Sequence, residues 1–195
     1  MDKRTREAIR YMGCKSDAIE EKTLQIIKDT FCEIEKISAK GFAYGLYEIQ
    51  ELNHETVQFA NVRIYSSQLC HNLRDCDNVI VFCATLGLDV DRQMQKYEKI
   101  DVAKAFIFQA CAASHIEQYC DEVEKVIAQS ERLDISRFCN RFSPGYGDFS
   151  LHHQEEILSI IDATKKVGIY LTDGYMLVPT KSVTALIGIK RTKEE

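Results

Sequence analysis

The chain has 195 residues, 45% hydrophobic and 28% charged, with a formal net charge of −5. That length and composition predict one globular domain over residues 1–195, and no apolar run approaches the roughly 18 residues of a membrane span. An acidic balance with scattered Lys and Arg excludes nucleic acid as an expected partner, because phosphate binding needs a basic surface.

The first residues, Met1 to Glu7, are charged with no apolar stretch behind them, which predicts no secretory signal and a cytoplasmic protein. Thr5 to Met12 reads as a short helix with Gly13 placed to cap it. Ser16 or Asp17 is suited to N-cap a second helix, whose Leu24, Ile27, Phe31 and Ile34 share one face. Phe42, Tyr44 and Leu46 alternate with Ala43, Gly45 and Tyr47, and Val57 and Phe59 alternate with polar neighbours. These predict an antiparallel hairpin across the polar turn Leu52-Asn53-His54-Glu55. Ser66 starts a short helix reaching about Leu73, and the continuous apolar run Val79 to Cys83 predicts a strand buried on both faces.

That strand ends in Ala84-Thr85-Leu86-Gly87, a turn that either binds an anion through exposed amides or changes the chain direction. It lacks the full glycine pattern of a dinucleotide site. The longest predicted helix runs from Asp101 to about Ser130, with a stripe of Val102, Phe106, Ala113, Ile116, Cys120, Val123 and Ile127. Beside it lies a face of small residues, Ala110, Ala113 and Ser114, ending at Glu117; such a face admits either another backbone or a ligand. Ser150 is suited to cap a further helix with Ile157, Leu158, Ile160 and Ile161 facing inward, ended by Gly168. Ile169–Val178 and Val183–Ile189 read as a terminal hairpin about Pro179-Thr180-Lys181. Strands and helices do not alternate regularly, so the expected fold class is α+β with a largely antiparallel sheet packed with helices.

Eight cysteines, Cys14, Cys32, Cys70, Cys76, Cys83, Cys111, Cys120 and Cys139, include no Cys-x-x-Cys pair, and no histidine pair stands at ligand spacing. They read as reduced, small packing residues, with no metal site expected. The densest set of backbone constraints is Arg141-Phe142-Ser143-Pro144-Gly145-Tyr146-Gly147-Asp148. Proline fixes φ, and glycine permits a sharp turn or a close approach. Arg141 offers a planar fork of donors suited to a carboxylate, and Tyr146 a ring face and a hydroxyl, so the loop suits a zwitterionic, partly aromatic small molecule or is an ordinary turn.

Arg141-x-x-x-Gly145-Tyr146 resembles the S-adenosylmethionine-binding signature of the activation domain of cobalamin-dependent methionine synthase. The resemblance continues through His152, through Leu171-Thr172-Asp173-Gly174-Tyr175-Met176 and on to Pro179 and Ser182-Val183. It takes in Ala113-Ser114-His115-Ile116-Glu117 on the long helix, and Ala84-Thr85-Leu86-Gly87 is similar to free-standing short members of the family. It is clearest over residues 100–190. The resemblance implies a twisted antiparallel sheet with helices around it, and a role in restoring methylcobalamin from inert cob(II)alamin. It implies that Arg141 pairs with the methionyl carboxylate of S-adenosylmethionine and Glu117 with its amino group. The Pro144-Gly145 turn would lie against the ligand, and Tyr146 would be the catalytic residue facing the cobalt. Cobalamin would be carried by a partner, a methionine synthase lacking its own activation domain, with a flavodoxin-like or other low-potential electron donor. His152, His153 and Asp148 are either supports of this site or solvated helix-start residues.

The chain lacks the motifs that hold cobalamin or activate homocysteine, so it is not expected to make methionine alone. It is shorter than the family's long form between Glu117 and Arg141. The alternative is a non-catalytic module that docks on a corrinoid protein or senses S-adenosylmethionine.

Overall fold

The computed structural model describes residues 1–14 and 19–192. Its centre is strand β4, Cys76–Thr85, built on the apolar run expected to be buried on both faces. Ile80, Phe82 and Ala84 point to one side and Val79, Val81 and Cys83 to the other, all fully buried, because successive strand residues alternate faces. Strands β1 (Gly41–Leu52), β2 (Thr56–Phe59), β3 (Val62–Tyr65) and β7 (Ser182–Lys190) complete a five-stranded antiparallel sheet of order β3-β2-β1-β4-β7. The fold is α+β. The β1–β2 hairpin forms about the expected turn, with Leu52 paired to Val57. Asn53 tightens that turn by accepting the amide protons of Glu55 and Thr56.

One face of the sheet carries α1 (Lys3–Tyr11), α2 (Glu21–Ile37), α4 (Leu88–Ile100) and α5 (Val102–Ser130), with Phe31, Ile34, Phe108, Cys111, Ile116 and Val123 in its core. The other carries α3 (Ser67–Leu73), α6 (Gln154–Ile160) and α7 (Ala163–Val167), with Leu69, Leu73, Ile157 and Ile161 packed on Val79 and Val81. The first helix begins at Lys3 because Asp2 accepts the Thr5 amide as its cap. The expected cap of the second helix at Ser16 or Asp17 lies outside the described residues. α3 and α5 begin where expected, with Ser66 capping the first and Asp101 the second.

Several expectations are corrected. Residues 169–178 do not pair with 183–189. Instead β5 (Tyr170–Leu171) pairs with β6 (Leu177–Val178) in a separate two-stranded ribbon, and β7 pairs along the whole of β4. The reason lies in burial. Thr184, Ala185, Leu186 and Ile187 need cover on both faces, which only a place beside β4 supplies, whereas the Asp173–Gly174 turn is exposed. The helix expected from Ser150 to Gly168 is broken. Ser150 caps a short 3-10 turn at Leu151–His153, and Asp162, at φ 54°, separates α6 from α7. Within α5 the inward face begins at Ala105 and Phe108, while Val102 and Phe106 are 74% and 55% exposed. Apolar spacing in the first turns of α5 therefore does not report burial.

The turn after β4 changes direction and has its amides satisfied internally. Leu86 N–H donates to the Lys181 carbonyl at 2.9 Å and Gly87 N–H to Thr85 Oγ1 at 3.1 Å. Gly87 sits at φ 86°, and a Cβ there would stand 2.9 Å from the Ala39 Cβ, so glycine is what lets the chain pass α2's exit.

Candidate functional site

The segment Phe138–Phe142 is held along the outer edge of β7. Cys139 N–H donates to the Gly188 carbonyl at 2.8 Å, and Phe142 and Leu186 exchange both backbone hydrogen bonds at 2.9 Å. Backbone pairing on both sides of Arg141 fixes where its side chain leaves the sheet edge, which is towards α5. There Glu117, Asp121 and Glu124 stand at i, i+4 and i+7, one face of the helix. Arg141 Nη2 donates to Glu117 Oε2 at 3.0 Å, and Nη1 donates to Asp121 Oδ1 at 3.0 Å and Glu124 Oε1 at 2.5 Å. Lys3 of α1 adds a second cation, donating to the other oxygen of Asp121 at 2.8 Å.

The side chain of Arg141 is only 21% exposed. Burial works against its charge, yet the carboxylates of Glu124, Asp121 and Glu117 outweigh that and raise its pKa. Burial likewise pushes the Glu124 carboxyl up, opposed by Arg141. Asp121 feels burial too, but the hydrogen bonds from Lys3 and Arg141 hold it below the ordinary value. Arg141 is therefore a half-buried ionic hub between the β7 edge and α5, and not the exposed loop arginine that its place beside a turn suggests.

Residues 143–149 form a double turn. Tyr146 N–H donates to the Ser143 carbonyl at 3.2 Å, Phe149 N–H to that of Tyr146 at 3.0 Å, and Gly145 N–H to that of Phe149 at 2.7 Å. Gly145 at φ 93° and Gly147 at φ 55° supply the left-handed residues this needs. Asp148 anchors the loop to the start of α3: its carboxylate accepts the Ser67 amide at 2.8 Å, the Ser67 hydroxyl at 2.6 Å and the Ser66 hydroxyl. Hydrogen bonds from Ser66 and Ser67 lower its pKa to about 2. With its carboxylate on these groups, Asp148 is a support of the loop.

A cavity of about 610 Å³ opens beside this loop, and Glu117, Arg141, Ser143 and Tyr146 are in its wall. A second, of about 650 Å³, lies under α1, and Glu117, Asp121 and Arg141 line it too. The structure thus gathers Glu117, Arg141 and Tyr146, 29 residues apart along the chain at their extremes (117 to 146), around one space. Tyr146 is 67% exposed at its mouth. Pro144, buried beneath the turn, and Gly145, whose amide is spent on Phe149, are outside the wall of that cavity.

The small face of α5 receives a backbone. Ser114 Oγ donates to the Arg4 carbonyl at 2.8 Å, so α1 closes over Ala110 and Ser114 and leaves Glu117 at the rim. Asp121, Glu124 and Lys3 were not singled out from the sequence, although the spacing of the acids after Glu117 places them on its face. His152 stacks edge-on against Tyr175 at 4.3 Å between ring centroids, and His153 Nδ1 lies 2.7 Å from Glu156. Neither lines the cavity. Another cavity, of about 640 Å³, between α6, α7 and β5 is lined by Leu171, Thr172, Asp173 and Tyr175 of the second motif segment and by none of Glu117, Arg141 and Tyr146. Among the described residues no group of three His, Cys, Asp or Glu is placed to hold a metal ion, and no helix is long and apolar enough to cross a membrane.

This fold of sheet and helices is similar to that of a solved reactivation domain. The crystal structure of the MetH reactivation domain bound to AdoHcy superposes with a TM-score of 0.67 at 14% identity, covering 95% of this chain and 70% of that chain. Comparison with curated protein sequences returns no match. The family model for the vitamin B12 dependent methionine synthase activation domain matches residues 69–194, and the chain belongs to that family.

Proposed function

We propose that this chain is an S-adenosylmethionine-binding reactivation subunit that acts in trans on a cobalamin-dependent methionine synthase lacking its own activation domain. What carries the reading is that Glu117, Arg141 and Tyr146 line one cavity in a chain of this family. The AdoHcy in the similar crystal structure supports the same ligand class.

The residues present fit such a ligand. Arg141 and Glu117 are paired to each other, so a zwitterion exchanges one ion pair for two, its carboxylate on the guanidinium and its ammonium on Glu117. Asp121 and Glu124 keep hold of Nη1 and preserve the aim of Arg141 during the exchange. When bound, S-adenosylmethionine would supply a methyl group that, with one electron from a flavodoxin-like or other low-potential donor, would restore methylcobalamin on the partner and leave S-adenosylhomocysteine. No proton transfer is needed at a sulfonium, so this chain contributes binding, orientation and an exposed Tyr146 that a cobalamin-bearing surface can reach.

The closed Arg141–Glu117 pair favours one second reading, a non-catalytic module that docks on a corrinoid protein or senses S-adenosylmethionine. Calorimetry with S-adenosylmethionine, followed by absorbance-monitored recovery of methylcobalamin on a partner corrinoid protein with reductant, separates the two. The proposal expects 1:1 binding and recovery. Binding without recovery leaves a sensor, and absence of heat at millimolar ligand leaves a docking module.

A further inference from the structure

Two thiols meet beneath the segment that carries Arg141. Cys76 Sγ, at the first residue of β4, lies 3.5 Å from Cys139 Sγ across 63 residues of sequence. Two features set this approach. The Cys139 amide is tied to the Gly188 carbonyl. Gly188 also leaves room for the sulfur, since a Cβ there would stand 2.5 Å from Cys76 Sγ. The two thiols differ in access. Cys76 is 1% exposed, whereas Cys139 is partly exposed and lines both the Arg141 cavity and a smaller one of about 250 Å³ beside His71, Arg74 and Lys190.

We propose that Cys76 and Cys139 form a reversible dithiol–disulfide site whose oxidant is a small anionic disulfide of the glutathione class. Lys190 and Arg74 beside Cys139 complement the carboxylates of such a molecule, with Arg74 shared at 3.4 Å with Asp75, which lines the same space. The accessible Cys139 thiolate attacks one sulfur of the oxidant, breaking its S–S bond, forming a mixed disulfide and releasing one small thiolate. Cys76 then attacks the Cys139 sulfur and releases the second. The protons of both cysteines end on the two released thiols, so two protein thiols are oxidised as one small disulfide is reduced. The product requires the sulfurs to close from 3.5 Å to about 2.05 Å. Burial raises the Cys76 pKa, so Cys139 and not Cys76 starts the reaction, and the 3.5 Å approach places Cys76 to follow. The bond tethers the segment two residues before Arg141 to the centre of the sheet.

The test is incubation of the full chain with glutathione disulfide, alkylation of remaining thiols and peptide mapping by mass spectrometry. The expected result is a Cys76–Cys139 cross-linked peptide that dithiothreitol reverses. In Cys76→Ser, Cys139 is expected to stop at the glutathione adduct. A wild-type protein in which Cys139 stays unmodified, or holds glutathione without forming the cross-link, overturns the proposal. So does modification confined to the exposed Cys14 and Cys32.

Discussion

Arg141 and Glu117, separated by 24 residues of sequence, are bonded to each other at 3.0 Å. In the proposed function these two groups take opposite ends of one ligand, so binding and the integrity of the β7–α5 junction draw on the same ion pair. Arg141 also carries Asp121 and Glu124, which makes it structural and functional at once.

Arg141→Ala is therefore expected to weaken S-adenosylmethionine binding by about 10- to 100-fold, roughly 1.4–2.8 kcal/mol. It is also expected to lower stability by about 1–3 kcal/mol, because three acids on α5 lose their half-buried counter-charge. Calorimetry and urea unfolding measure the two losses separately. Unchanged stability would show that water, and not the guanidinium, satisfies the carboxylates.

Tyr146→Phe is expected to change S-adenosylmethionine affinity by less than about threefold, under roughly 0.7 kcal/mol, since its ring stays at the cavity mouth. The rate of methylcobalamin recovery with a corrinoid partner and reductant is expected to change, because the hydroxyl is lost from an exposed position. Equal recovery rates for wild type and variant would remove Tyr146 from the chemistry.

Asp148 carries an acid-sensitive contribution to stability. Its folded pKa is held near 2 by hydrogen bonds from Ser66 and Ser67, below the ordinary 3.8. A depressed carboxylate stabilises fully above the unfolded value and loses that effect as pH falls through the folded one. The stability gap between wild type and Asp148→Ala should be full at pH 5 and close as pH approaches 2, measured by denaturant titration. A gap of constant size would mean that Asp148 acts only through packing.

Gly145→Ala should destabilise the loop by about 1–2 kcal/mol, since it forces an L-residue to φ 93°. It also brings a Cβ to 3.0 Å from the Leu151 side chain. Differential scanning calorimetry gives the cost, and a melting point equal to wild type would show that the turn relaxes freely.

The local elements were written in the chain. The β1–β2 hairpin follows from alternation on either side of Asn53, β4 from an unbroken apolar run, α3 from its start at Ser66, and α5 from an apolar stripe at helical spacing. The motif loop was also legible, because its glycines and proline constrain the backbone whatever surrounds them. Long-range partnership was decided by the tertiary structure. Residues 182–190 have the same apolar pattern beside β4 as in a hairpin with 169–178, and only the burial required by both faces of Leu186 and Ile187 selects β4. The exposure of Val102 and Phe106 depends on what packs against the start of α5, which no spacing encodes. Arg141 reads from sequence as a loop cation free for a ligand. Its capture by Glu117, Asp121 and Glu124 arises because β7 positions residue 141 opposite one face of α5, and charge pairing acts through space and not along the chain.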